Sequence, residues 1–241
     1  MRALATARRV LTQIGHDPRT IVLLLVVPSL LIGLMAWLFD DTEVFGQIGP
    51  AMLGLFPFII MFLVTSIATL RERRSGTLER LLTMPLAKLD FILGYTLAFG
   101  LLAIAQALIA CAFAIWVCGL EIEGSLWLLL AVAVVDGLLG TTLGLLASAF
   151  ARTEFQVVQF MPALVFPQVI LGGVIIARDQ MPDPLYAISD WLPLSHAIDA
   201  LTAVARDSED PAWVGTRLLI LGAFAVGAVA LGAITLRRRT P

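Results

Sequence analysis

The residue with the most unusual chemistry for its position is Asp136. It lies about 11 residues into an apolar run, Ser125–Phe150, with no other charge between Ser125 and Phe150. In hydrocarbon a charged side chain at that depth costs roughly 2.5–3.5 kcal/mol on insertion scales. Two kinds of chemistry fit such a residue: a charge on a substrate or proton pathway, or a neutral or hydrogen-bonded carboxyl that holds helices together. Gln106, Gln159 and Gln168 lie in other apolar runs and are candidate partners for it, or further lining of the same path. Gly140, Gly144 and Ala147 follow Asp136 at i+4, i+8 and i+11, a small-residue face suited to close helix packing. Asp136 is therefore expected to face protein or a cavity.

The other reactive groups support little chemistry. A phosphate-binding loop needs Gly-x-x-x-x-Gly-Lys-Ser/Thr, and the only lysine, Lys88, is followed by Leu89. This chain cannot house that ATP site. Zinc needs three or four Cys, His or carboxylate ligands at workable spacing, and the two histidines, His16 and His196, are 180 residues apart. Ser195 and His196 are neighbours, but adjacency in sequence does not build a nucleophile–base pair. Cys111 and Cys118 are seven residues apart in one apolar run; on a helix that is about 10 Å of rise, too far for a disulfide. They read as small buried side chains. No residue set supports an enzyme.

The elements that position these residues follow from composition. The chain has 241 residues, 59% apolar and 14% charged, with a mean hydropathy of +0.95. A soluble domain is about 45–50% apolar and about 25% charged, so lipid must be the solvent for most of this one. A cytosolic enzyme, a nucleic-acid binder and a disordered hub are excluded. The length fits one membrane domain, residues 1–241. Six runs can cross about 30 Å of hydrocarbon: Thr20–Phe39, Gln47–Leu70, Phe91–Cys118, Ser125–Phe150, Phe155–Ala177 and Trp213–Leu236. Pro162, Pro167 and Gly172-Gly173 predict an irregular fifth span. The first run is too long for a secretory signal. No internal repeat is visible, so an inverted-repeat transporter gains no support.

Charge sets the orientation. Arg2, Arg8, Arg9 and Arg19 precede the first span. Arg71, Arg73, Arg74, Arg80 and Lys88 lie between the second and third, Arg152 between the fourth and fifth, and Arg237–Arg239 at the end. The alternate loops carry Asp40, Asp41, Glu43, Glu121, Glu123 and an acidic cluster from Asp179 to Asp210, with only Arg178, Arg206 and Arg217 as basic residues. The positive-inside rule then places both termini in the cytoplasm.

Three segments are more than connections. Residues 1–19 predict an amphipathic helix, with Leu4, Ala7, Leu11 and Ile14 on one face and Arg2, Arg9, Gln13 and His16 on another, ended by Asp17-Pro18. It suits either the membrane interface or solvent. Within residues 71–90, Ser75-Gly76 breaks a long helix, Thr77–Leu82 allows about two further turns, and Pro85 stops them. Such an element packs on its own domain or docks on a partner. Residues 178–212 form a loop long enough to carry its own structure. Its Leu185, Tyr186, Ile188, Trp191 and Leu192 suit short helices at headgroup level, and Ser195–Val204 forms an amphipathic run.

The run Glu72-Arg73-Arg74-Ser75-Gly76-Thr77-Leu78-Glu79-Arg80-Leu81-Leu82-Thr83-Met84-Pro85 resembles the signature of ABC-2 type transporter permeases, roughly E-R-E-x-G-T-L-E-x-L-x-x-x-P. A second match joins Leu171-Gly172-Gly173, Pro182, Ile188-Ser189, Pro193-Leu194 and Ala197–Leu201. The resemblance covers nearly the whole chain and is nearest to daunorubicin-resistance-type and polysaccharide-export permeases. Leu192 and Thr202 depart from it, standing where the family often has Asn and Arg.

The resemblance implies an all-α polytopic fold like that of ABCG-type exporters. Residues 1–19 would be the connecting helix, 71–90 a coupling-helix loop and 178–212 an extracellular re-entrant loop. It implies a permease that pairs with a second copy or a related permease and with two ATP-binding-cassette subunits. Those subunits would bind ATP and Mg, leaving no cofactor in this chain. Glu72, Arg73, Gly76, Thr77, Glu79, Arg80 and Pro85 would couple it to the ATPase. The expected function is outward movement of lipophilic drugs or lipid-like molecules across a bacterial cytoplasmic membrane, as in antibiotic efflux. The alternatives are a polysaccharide or glycoconjugate exporter, a proton- or ion-driven transporter using Asp136, and a membrane anchor that transports nothing.

Overall fold

The computed structural model of the protein describes residues 2–39, 42–74 and 88–235. Gly76, Thr77, Glu79, Arg80 and Pro85 of the expected coupling loop lie outside them, as do Asp40, Asp41 and Arg237–Arg239. All regular structure among the described residues is helical: α1 (Arg2–Gly15), α2 (Pro18–Leu38), α3 (Thr42–Arg74), α4 (Lys88–Trp116), α5 (Leu126–Phe150), α6 (Glu154–Leu171), α7 (Asp183–Ser189), α8 (Pro193–Ala205) and α9 (Pro211–Thr235), with a 3-10 turn at Arg178–Gln180. Helices α2 to α6 and α9 are long and apolar enough to cross a membrane. This is an all-α, multi-pass architecture.

Local sequence sets the boundaries. Asp17 caps α2: its Oδ1 accepts the amide N–H groups of Arg19 and Thr20 at 3.2 and 3.3 Å, and its Oδ2 accepts the Thr20 hydroxyl at 2.7 Å. Those Thr20 bonds hold the Asp17 carboxyl below the usual carboxylate range. Pro18 follows at the first helical position, where its missing N–H costs nothing. The fifth span was expected to reach Ala177 but ends at Leu171. Gly173 adopts φ +89°, a left-handed turn that stops the helix. Pro162 and Pro167 do not interrupt it before that point.

The most extensive packing in the bundle is between α3 and α5. A Cβ added at Gly140 would lie 2.6 Å from the Phe58 carbonyl oxygen, and one at Gly144 would lie 2.6 Å from that of Phe62. The two backbones approach so closely only because both positions are glycine. Gly137 makes the matching approach to Ala103 of α4. Besides a small third part at Leu70, Ala151 and Val157, the apolar core has two main parts. The larger part includes Phe58, Phe62, Leu129, Leu139, Leu194 and Leu201; the smaller, under α1, includes Val10, Leu24, Met61 and Phe99.

Helix α1 docks on α4, where Thr6 fills the space beside Gly94. Its buried stripe is Ala7, Val10 and Ile14, while Leu4, expected on that face, is 65% exposed. The contact turns on Gly94, which selects the Thr6–Val10 side and leaves Leu4 at the edge. Helix α8 carries the amphipathic run expected over Ser195–Val204 and is buried among α3, α5, α6 and α9, whereas α7 and Trp191, expected at headgroup level, are exposed.

Candidate functional site

Asp136 is fully buried where α5, α3 and α8 meet. The ideal Cβ position at Gly54 of α3 lies 3.9 Å from Asp136 Oδ2, 3.5 Å from Ile198 Cγ1 and 3.0 Å from Leu201 Cδ1. The carboxyl group thus points at a junction of three helices that glycine leaves open on one side. Neither carboxyl oxygen has a hydrogen-bond partner among the described residues. None of the three glutamines reaches it.

Each glutamine instead has its own place. Gln106 of α4 is fully buried, and its Nε2 donates to the Leu24 carbonyl oxygen at 2.8 Å. That carbonyl is the one Pro28, four residues on, cannot satisfy, because proline has no N–H. Gln106 therefore repairs the proline defect in α2. Gln168 joins two helices: its Nε2 donates to Leu164 O at 2.9 Å, and its Oε1 accepts the Leu194 N–H at 3.2 Å. This satisfies an orphan donor in the first turn of α8. Gln159 is exposed on α6.

The end of the bundle that carries Arg9, Arg71, Arg73 and Arg152 is laced by ion pairs. Arg9 Nη1 meets Glu72 Oε1 at 2.6 Å, and Arg9 Nη2 lies 3.4 Å from the Tyr95 hydroxyl. One arginine of α1 thus holds the last turn of α3 and the start of α4. Arg73 donates to the Ser148 carbonyl oxygen of α5. Arg71 pairs with Glu154 at the start of α6, with Nε 2.9 Å from Oε1. Glu72 and Arg73, both expected to serve coupling, make these contacts within the bundle. What they set is the position of the last turn of α3, immediately before residue 75.

The opposite end carries a second polar cluster, built by α7, α8 and α9. Arg178, 6% exposed, pairs with Asp190 and Asp199; its Nε donates to Ser189 Oγ at 2.8 Å, and its guanidinium lies 4.9 Å from the Tyr186 ring centre. His196 Nε2 lies 2.9 Å from the Asp190 carbonyl oxygen, and its Nδ1 is 2.7 Å from Arg217 Nη1. Arginine can only donate, so Nδ1 accepts and the proton sits on Nε2. Arg217 also lies 4.4 Å from the Trp213 ring centre. Burial, joined by Arg217 and Arg178, pushes the His196 pKa below its usual value. Burial pushes the Asp199 carboxyl up, against the pull of Arg178. Sequence reasoning counted Arg178 and Arg217 only as charges outside the arginine-rich segments and Asp199 only as part of a motif, and did not join them with Asp190 into a cluster. Their one signal is that arginines are scarce in so acidic a loop.

Among the described residues, no group of three or more His, Cys, Asp or Glu side chains is arranged to hold a metal ion. The arrangement is a membrane bundle tied at both ends, with an unpartnered acid at its centre.

The profile of the ABC-2 type transporter family matches residues 3–205. The chain is 30% identical over 150 residues to the probable multidrug ABC transporter permease YbhR of Escherichia coli (strain K12), covering 62% of this chain and 41% of that protein. It is 25% identical over 191 residues to the probable multidrug ABC transporter permease YbhS of the same organism, covering 79% and 51%. A third relative is ABC transporter G family member 20 of Dictyostelium discoideum, 27% identical over 154 residues, covering 64% and 21%. The chain thus spans about half, or less, of the length of these relatives.

Proposed function

Because the chain belongs to the ABC-2 type transporter family, we propose that it is the permease subunit of an ATP-driven exporter moving lipophilic drugs or lipid-like molecules out of the cell. It works as a dimer, with itself or a related permease, in an ABCG-like arrangement. ATP is hydrolysed by two separate ATP-binding-cassette subunits seated at the arginine-rich end, which faces the cytoplasm of a bacterium. The observation that carries this reading is the family match across residues 3–205, laid over six apolar helices in a sequence with no phosphate-binding loop. The names of two relatives contain the word multidrug, which favours a lipophilic substrate over a glycoconjugate.

The ties at the arginine-rich end support a coupling role for the segment that follows α3. Arg9, Glu72, Tyr95 and Arg73 lock the last turn of α3 to α1, α4 and α5. A push on that turn then acts on four helices at once. Within the segment itself Glu79 supplies the charged contact to the ATPase. Reversing it with Glu79→Lys sets like charge against a basic partner group, and losing a desolvated charge pair costs about 2–5 kcal/mol. Co-purification with the ATPase and substrate-stimulated ATP hydrolysis should fall for Glu79→Lys and hold for Glu43→Lys at the other end of α3. Equal assembly and equal stimulation in both would sink this assignment.

A further inference from the structure

Resting on that transport reading, we infer that Asp136 is the counter-charge for a lipophilic monocation, an organic amine or phosphonium, and that its site opens when α8 moves. Three observations carry this. First, the carboxyl group is fully buried and both oxygens lack partners among the described residues. Every other acid the structure places in the bundle interior or its end clusters has a cation: Glu72 has Arg9, and Asp190 and Asp199 share Arg178. Asp136 alone in that set does nothing for the fold, since a buried acid without a partner weakens a core rather than strengthening it.

Second, its surroundings suit a particular ligand. Leu201 and Ile198 border the space that Gly54 leaves open beside Oδ2: a Cβ at residue 54 would lie 3.0 Å from Leu201 Cδ1, 3.5 Å from Ile198 Cγ1 and 3.9 Å from Oδ2. Among the described residues no group of three or more acidic, His or Cys side chains is there to hold a metal ion. A single positive charge on an apolar body finds both a carboxylate and apolar contact. Gly54 matters because any larger residue would occupy the space beside Oδ2.

Third, α8 is anchored unevenly. Its C-terminal end is pinned by backbone, with the Glu123 and Gly124 N–H groups donating to the Ala205 and Val204 carbonyl oxygens at 2.9 and 3.1 Å. Toward its N-terminus it is held by side-chain bonds: Gln168 to the Leu194 amide, Arg178 to Asp199, and Arg217 to His196. These can break and re-form, so α8 can swing about its C-terminal end and carry Ile198 and Leu201 away from the space beside Asp136.

The test uses membrane vesicles containing the chain with its ATP-binding-cassette subunit, and two probes: tetraphenylphosphonium, a lipophilic cation, and Nile red, an uncharged dye. Asp136→Asn should lower ATP-dependent tetraphenylphosphonium transport at least 10-fold, equivalent to about 1.4 kcal/mol, and keep Nile red transport within two-fold. Asp136→Glu should retain both. Full cation transport by Asp136→Asn overturns the inference. So does a parallel loss of both probes while the complex still co-purifies and hydrolyses ATP, which would mark a structural or proton-carrying acid. Wild-type protein that moves Nile red but not the cation also overturns it and leaves the exporter reading standing. Wild-type protein that moves neither probe with ATP overturns the exporter reading itself.

Discussion

The seam between α3 and α5 makes a quantitative prediction. A methyl group placed on Gly140 would stand 2.6 Å from the Phe58 carbonyl oxygen, and one on Gly144 would stand 2.6 Å from that of Phe62. Carbon–oxygen contacts across close helices settle at about 3.3 Å or more, so each alanine forces the helices apart by about 0.7 Å. The obstacle is backbone, which cannot swing away as a side chain can. Overpacking of this kind costs about 1–3 kcal/mol, set against a gain of about 0.8–1.0 kcal/mol in helix propensity for replacing glycine. The net expectation is a loss of up to about 2 kcal/mol for Gly140→Ala or Gly144→Ala. Both collisions are with one helix, a single turn apart, so one displacement relieves both. The double variant should therefore lose less than the sum of the singles. Gly222 of α9 meets nothing within 4 Å, and Gly222→Ala should be neutral or slightly stabilising. Reversible unfolding in mixed micelles, followed by circular dichroism against denaturing detergent, measures all four. Gly140→Ala and Gly144→Ala matching Gly222→Ala would refute the seam.

Three further outcomes follow from the polar ties. Gln106→Leu should cost about 1–3 kcal/mol by leaving the Leu24 carbonyl buried and unpaired; in a Pro28→Ala background, where residue 28 regains its N–H, the same substitution should cost clearly less, and equal costs in both would show that Gln106 does not serve that carbonyl. The His196 pKa is lowered from 6.5 by burial first and by Arg217 and Arg178 after it, so below about pH 6.5 the unfolded chain binds a proton that the folded one refuses, and thermal stability should fall as the medium is acidified from pH 7. His196→Gln should flatten that slope while leaving in place Asp199, whose raised pKa acts in the opposite direction; an unchanged slope would clear His196 of the effect. Glu72→Gln should weaken the hold of Arg9 on α3, a pair with side chains 34% and 7% exposed; at about 1 kcal/mol, amide exchange over residues 2–15 should quicken roughly five-fold, and unaltered exchange would mean α1 is held by its apolar stripe alone.

The spans were legible because hydropathy over 20 residues is a coarse signal that survives small errors of boundary. The Gly140–Gly144 face was legible for a related reason: a spacing of four on a helix fixes a direction without knowledge of the neighbour. Partners were not legible. Asp136 drew attention to three glutamines as the polar groups available to it, yet Gln106 had a stronger claim on it from Leu24. That claim was readable in principle, since a proline inside a span frees the carbonyl four residues earlier, and an amide on a neighbouring span can take it. Glu72 and Arg73 show a different limit. A sequence signature says which segment carries a function, but the direction of each side chain depends on what packs beside it, here Arg9 of α1 and the Ser148 carbonyl. The cluster joins Arg178 to Ser189, Asp190 and Asp199, 11 to 21 positions away and across turns, and no periodicity spans those.

These contacts also divide the bundle by stiffness. Along α3 and α5 the chain runs from Gly54 beside Asp136, past Phe58 on Gly140 and Phe62 on Gly144, to Arg73 on the Ser148 carbonyl. Beyond Gly54 every step of that path is backbone against backbone, or arginine against backbone, so the two helices move as one body. Helix α8 meets the other end of this body through apolar side chains; backbone bonds from Glu123 and Gly124 pin its C-terminal end, and amide, arginine and histidine side-chain bonds hold the rest. Under the proposed function, a displacement delivered by the ATPase at Arg71–Arg74 reaches Asp136 undiminished. The strain then falls on the joint with α8, the weaker of the two. The place where the bundle yields is thus also the place where its unpartnered acid is covered, and breaking the α8 bonds one at a time, with Gln168→Leu and Arg217→Leu, should raise ATPase-independent leak of the cationic probe. A leak equal to that of wild type in both variants would mean that α8 is not the barrier.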